Sequence, residues 1–390
     1  MPRTSAQASA RTSAQTSDEI GIDDPAEITA VLPPVRERPR RFVFLDVLRA
    51  SAVCLVVYSH LVGVWLDDHH VRSATEGIVT AFVEHPLLLA QHLGNLGVVL
   101  FFLVSGFVVT HTGLTEGFRE FAVKRLLRIY PMLVVAVLIA GGLFAAGLHP
   151  LTTGQPTTVT PMTLLTNATL ANYVTVPEVV LLAVGWSLIV EMLFYLLLLV
   201  ILPVLRWQAW LGIVVELAVI AAVLGTAHEA GQSYFLLAVS MSYLPALVIG
   251  QVAWAMWSRR VPRWAGVIFG AIAWMMYLWA GANDMGRLDG AYDHTLALGL
   301  GVFVVGLLAE RRLRPNSWVS YLAERSYSLY LLHGLLGFAL MDLLYPRAPF
   351  LVVLLAGIAA TGLAAEGAYR WVERPCMRFA RFLGRRWSPR

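Results

Sequence analysis

Three ionisable residues share one apolar run near the start of the chain. In FLDVLRASAVCLVVYSHLVGVW these are Asp46, Arg49 and His60. A charge at bilayer depth costs roughly 2.5–3.5 kcal/mol on insertion scales, so each of these groups needs a partner or a task. Asp46 and Arg49 are three apart and can pair on one helical face. Arg49 and His60 are eleven apart, which on an α-helix leaves them within about 20° of the same direction and about 16 Å apart along the axis. One stripe of this helix therefore carries a cation towards one end and an imidazole towards the other. A histidine titrates near pH 6.5 when unperturbed, so a neutral ring is available to take a proton from a hydroxyl.

Further groups at similar depth extend this chemistry. Glu191, in VGWSLIVEMLFYLL, can orient an imidazole or a substrate hydroxyl. His333 closes the run SYSLYLLH. Arg125 and Arg128, in EGFREFAVKRLLRIYPML, are three apart on one helical face ahead of Pro131 and suit a phosphate group. Each also has an ordinary reading: a helix anchor, an interhelical hydrogen bond, a basic flank. Ser105–Gly106 is a better candidate for close helix packing than for a covalent nucleophile. The chain has no Cys/His metal-ligand cluster, phosphate-loop sequence or basic–aromatic nucleic-acid surface, so neither a metal nor a nucleic-acid partner is expected.

The elements that must hold these residues follow from composition. The chain is 58% hydrophobic and only 14% charged, whereas soluble domains carry about a quarter charged residues. Apolar runs near 44–66, 93–111, 132–148, 183–205, 209–226, 234–257, 264–281, 292–309, 319–341 and 350–372 have or approach the length of about 20 residues that a bilayer requires. The expectation is an all-α polytopic membrane protein of about ten transmembrane helices. With the N-terminus inside, 25 of the 29 Lys and Arg fall on the inner side, 3 (Arg72, Arg287 and Arg347) on the outer, and Arg49 within the first span. The positive-inside rule then places both termini in the cytoplasm and the protein in the cytoplasmic membrane. Residues 1–41, rich in Ala, Ser, Thr, Pro and Arg, are expected as a disordered cytoplasmic tail, 42–375 as the transmembrane domain, and 376–390 as a basic cytoplasmic tail. Cys54 and Cys376 imply no disulfide framework.

Taken together and in this order, the motifs resemble acyltransferase family 3, integral-membrane O-acyltransferases. The resemblance rests on Asp46, Arg49 and His60, then on GVVLFFLVSGF with Gly97, Phe101, Phe102, Ser105 and Gly106. It continues through Arg125, Arg128 and Pro131, and through Trp186, Ser187, Glu191, Phe194 and Tyr195. It closes with Ser326, Tyr327, Tyr330 and His333, and with Glu373, Arg374 and Pro375. It covers about residues 42–380 and implies transfer of an acyl group, acetyl by default, from cytoplasmic acyl-CoA to a hydroxyl of a glycan or a glycosylated small molecule such as a macrolide. His60 is then the general base and Glu191 its assistant, with Arg49, Arg125 and Arg128 on the CoA phosphates. Asp46, Trp186, Ser187, Tyr330 and His333 are candidates for the substrate site. Many members carry an appended extracytoplasmic SGNH domain. Here the expectation is a stand-alone form, completing transfer itself or passing the acyl group to a separate extracytoplasmic acceptor protein. The competing readings are a glycan or lipid transporter, which would make no acylated product, and a membrane scaffold without catalysis.

Overall fold

The structure, a computed structural model, describes residues 42–89, 91–153, 158–283, 285 and 292–387. The segment 1–41 expected as a disordered tail lies outside the described residues, as does Arg287. The described chain is all-helical across the membrane. The apolar helices are α1 (Val43–Asp68), α2 (Gly94–Thr115), α3 (Phe118–Ala145), α4 (Ala183–Trp207), α5 (Ala209–Gly225), α6 (Gln232–Trp257), α7 (Arg263–Ala282), α8 (Tyr292–Ala309), α9 (Ser317–Leu344) and α10 (Phe350–Ala368). A wide turn, Tyr369–Glu373, joins α10 to α11 (Arg374–Trp387). Among the described residues nine helices are long and apolar enough to cross a membrane, and α5 is a shorter apolar helix. They coincide with the ten apolar runs of the sequence. This is a multi-pass membrane protein, consistent with residence in the inner membrane.

Two boundaries differ from the hydropathy reading. α3 begins at Phe118 rather than near 132, so Arg125 and Arg128 sit on the same helix as the span, with Pro131 inside it. Proline removes one main-chain donor, but a helix in a bundle tolerates this because neighbours supply the missing partners. The Tyr327 hydroxyl on α9 donates to the Ile129 carbonyl, two residues before Pro131, at 2.8 Å and ties α9 to this part of α3. The second difference is at the C-terminus, where the basic segment is helical up to Trp387.

α2, α6 and α9 are the inner helices, and α7, α8 and α10 are peripheral. In hydrocarbon, helices associate by close packing rather than by a hydrophobic driving force. α2 and α6 meet backbone to backbone: a Cβ added at Gly106 would lie 1.9 Å from the Leu247 carbonyl oxygen, and one at Gly250 2.2 Å from that of Leu103. The Ser-Gly pair singled out in the sequence thus provides packing through Gly106. Phe44, Phe107 and Phe303 join α1, α2 and α8 in edge-to-face contacts with centroids 5.7–6.0 Å apart. Exposed Leu138, Val200, Val267, Leu308 and Leu363 form the lipid-facing surface.

Helices crossing in alternation put the exposed indoles of Trp207, Trp210, Trp257, Trp264, Trp318 and Trp371 at one end of the bundle. This is also the arginine-rich end, a combination typical of a membrane interface. Helix termini there are capped by side chains. Glu310, just past α8, accepts from the Val43 and Phe44 amides at 3.2 and 2.9 Å and so satisfies the start of α1. Arg206 donates to the Gly113 carbonyl at 2.8 Å and to that of Glu116 at the end of α2. Arg325 pairs with Glu366 and lies 3.6 Å over the Tyr321 ring, pinning α9 to α10.

Candidate active site

His60 and His333 lie in π-helical turns on facing elements, His60 within Ser59–Val64 of α1 and His333 at the head of His333–Gly337 of α9. Such wide turns break the regular ladder and recur at functional sites. Here the turn in α9 leaves the Gly334 carbonyl to accept from the Leu151 amide at 2.7 Å. The two rings are nearly parallel (18°), with Nδ1 of His60 2.7 Å from Nε2 of His333. His333 is fully buried, and its Nδ1 faces the Leu329 carbonyl at 3.1 Å.

For two neutral rings this geometry assigns the tautomers. The Leu329 carbonyl can only accept, so His333 carries its proton on Nδ1 and presents a lone pair at Nε2. His60 must then donate from Nδ1, and its own lone pair falls on Nε2. Two neutral rings in series deliver a basic nitrogen at one defined position, the arrangement general-base catalysis requires.

A cavity of 340 Å³ opens among α1, α2, α3, α4, α9 and α11. It brings together Arg49, Arg125, Arg128, Ser187, Glu191 and Tyr330, six of the residues singled out in the sequence, along with Ser105. Its arginine-rich end holds Lys124, Arg125, Arg128 and Arg381. Lys124 is held by Glu116 and Glu120 at 2.8 and 2.7 Å. Arg125 donates to Thr112 and lies over the rings of Phe121 and Tyr195, while its Nε–H is buried without a partner. An unpartnered buried guanidinium nitrogen costs stability, and an anionic ligand such as a phosphate would satisfy it. Arg49 and Arg128 stand near one another, with Glu191 near both, Asp46 near Arg49 and Glu373 near Arg128. Glu373 is itself fixed by the Ser328 hydroxyl at 2.9 Å.

Glu191 accepts on Oε1 from the Ser105 hydroxyl at 2.7 Å and from the Tyr195 hydroxyl. The ring partner of His60 is His333, and Glu191 belongs to the cavity wall facing the arginines. At the opposite end the Ser187 and Tyr330 hydroxyls are 2.7 Å apart and both lie within reach of the Val184 carbonyl, to which one of them donates while the other donates across the pair. The Tyr330 ring meets Phe101 edge-on at 5.8 Å and stands 6.1 Å from His333. The cavity thus ends one aromatic layer short of the histidine pair, which is not part of its lining. Asp46 and Trp186 also lie outside that lining. Asp46 accepts from Ser320 at 3.3 Å, and Trp186 packs on Phe102 and Tyr243.

A profile described as an acyltransferase domain, that of acyltransferase family 3, matches residues 42–365. The chain belongs to acyltransferase family 3. It is therefore classed as an O-acyltransferase with acyl-CoA-linked chemistry, and the resemblance read from its motifs is confirmed. Nodulation protein 10 of Rhizobium leguminosarum bv. viciae is 37% identical over 111 residues, 26% of this chain and 27% of that protein. The chain thus aligns with about a quarter of that relative. No solved structure matches it.

Several wall residues had gone unassigned in the sequence. Tyr195 and Tyr327 were visible only as motif letters, and Lys124 and Glu116 only as flanking charge. Met377 and Arg381 come from α11, beyond the matched domain. The signal for α11 was a helical alternation of arginine with Met, Phe and Leu in a segment too polar to register as a span.

Proposed function

We propose that this acyltransferase moves an acyl group, acetyl by default, from cytoplasmic acyl-CoA to a hydroxyl of a carbohydrate or glycosylated acceptor, with His60 as the general base. The observation that carries this reading is the hydrogen-bonded series Leu329–His333–His60, which leaves Nε2 of His60 as the free lone pair. The acceptor hydroxyl loses its proton to that nitrogen as its oxygen attacks the thioester carbonyl. The tetrahedral intermediate then collapses, the carbon–sulfur bond breaks, and the proton held on His60 passes to the departing thiolate. His333 is a positioning residue in this scheme, holding the tautomer and the ring plane.

The arginines suit the phosphates of the donor, and the cavity suits its extended arm. A volume of 340 Å³ falls at the lower end of the roughly 300–1,000 Å³ typical of small-molecule sites. The thioester reaches His60 when the Phe101–Tyr330 layer yields. Glu191, rather than assisting His60, balances the charge of Arg49 and Arg128 and holds Ser105 and Tyr195.

The experiment compares, by mass spectrometry, surface glycans and secreted metabolites from cells lacking the gene and cells complemented with it. The native gene is expected to restore an acyl mass increment and His60→Ala to leave it absent. Restoration by a His60→Ala protein present at normal level in the membrane overturns the assignment of the base.

A further inference from the structure

α11 lies beyond the matched acyltransferase domain, and its faces are sharply divided. Ala380 and Gly384, one turn apart, form its small-residue side. Ala380 is 1% exposed, and a Cβ at Gly384 would lie 2.6 Å from Oε1 of Glu120 on α3. Met377 and Arg381, also one turn apart and on the adjoining stripe, line the cavity at its arginine-rich end. Phe379 and Phe382 on the far side are exposed. This is the pattern of an amphipathic helix lying in the interface, one side against protein and the other in the headgroup layer.

The cavity, at 340 Å³, lies at the lower end of the range of small-molecule sites, and CoA is a large ligand. The nucleotide, the most highly charged part of CoA, is then left at the mouth, where Arg381 lines the cavity along with Lys124 and Arg125. Lys124 is already engaged by two carboxylates. We propose that Arg381, presented by α11, binds the phosphates of the nucleotide end of acyl-CoA, so that the C-terminal helix completes a donor site that the matched domain leaves open. This rests on the acyl-CoA reading above.

The test is calorimetric titration of the purified full chain in neutral detergent with CoA and with pantetheine, which keeps the thiol arm and lacks every phosphate. The native chain is expected to bind CoA the more tightly. Arg381→Ala should weaken CoA binding about tenfold, the size of one lost charge-assisted hydrogen bond, and leave pantetheine binding unchanged. Arg381→Lys should recover part of the loss, and Arg378→Ala, an exposed arginine outside the cavity lining, should lose nothing. The proposal is overturned if Arg381→Ala binds CoA as the native chain does, or loses CoA and pantetheine affinity alike. An effect seen only in anionic lipid would assign the arginine to a headgroup and likewise overturn it. If the native chain binds neither molecule, the acyl-CoA reading itself fails; if it binds CoA and only the Arg381 effect is missing, that reading stands.

Discussion

Replacing His333 separates orientation of the base from binding of the donor. His333→Ala removes the acceptor of a 2.7 Å bond and leaves the Nδ1–H of His60 without a partner at depth. Leaving a buried donor unsatisfied costs roughly 1–3 kcal/mol, or about 5- to 150-fold in rate if the whole penalty falls on the productive orientation. The Leu329 carbonyl loses little, because it still accepts from the main-chain amide of His333. His333 does not line the cavity, so KM for acyl-CoA should hold while kcat falls. His333→Gln, whose amide oxygen can accept from His60, should recover part of the loss. The assay is turnover of purified protein in detergent with acetyl-CoA, following free thiol and acylated acceptor once the acceptor is identified. The decisive comparison is the cycle of His60→Ala, His333→Ala and the double variant. A positioning role predicts that His333→Ala changes nothing further once His60 is gone. A kcat within twofold of native in His333→Ala, or an equal further loss in the His60→Ala background, refutes the relay.

Arg125→Ala with Arg128→Ala should raise KM for acyl-CoA about tenfold or more, each arginine contributing a charge-assisted contact; steady-state kinetics at saturating acceptor would register this, and an unchanged KM counts against the clamp. Gly106→Val drives a side chain into the Leu247 carbonyl and should destabilise the bundle by about 1–3 kcal/mol or more, lowering the unfolding temperature in detergent; unchanged unfolding would contradict the α2–α6 contact. Asn167 is buried, donates to Thr163 and Val179 and accepts from the Leu181 amide, each at 2.9 Å. Asn167→Ala should therefore speed protease cleavage of the 158–182 connection while leaving the spans intact, and native-like cleavage would show that this node does not hold it. Glu191→Gln keeps a hydrogen-bond acceptor for Ser105 but removes the charge facing Arg49 and Arg128, and should alter donor KM more than an acceptor KM; the reverse split would return Glu191 to the acceptor side.

The apolar runs made the ten apolar helices of the described residues legible because hydrocarbon length is a one-dimensional constraint, satisfied or violated within each run. The residues lining the cavity were mostly legible too, since ionisable and hydroxyl groups at depth are conspicuous against Leu and Val. Which of them touch was not. Glu191 and His60 fell at similar depth, yet depth does not fix rotation about the bundle, and the structure turns Glu191 towards Ser105 and Tyr195 and His60 towards His333. Arg125 and Arg128, read as a phosphate clamp, fell outside the third apolar run because hydropathy windows stop where arginines begin, although the helix does not. α11 escaped for the same reason: its apolar side chains are evenly diluted by arginine, and a window average sees only a basic tail.

The two π turns have a consequence for how this protein tolerates changes in length. A π turn holds one residue more than the α turn it replaces. Removing a single residue from 61–64 or from 334–337 would let the helix relax to regular winding. The segments on either side would keep their facing, because the extra residue is absorbed within that one turn. In α1, Trp65, whose indole donates to Asp342 at 2.8 Å, would stay against α9, and the change would fall on the turn that carries His60. A deletion, ordinarily confined to loops, would thus be absorbed here inside a span and bear on the histidine rings while sparing the contacts beyond them.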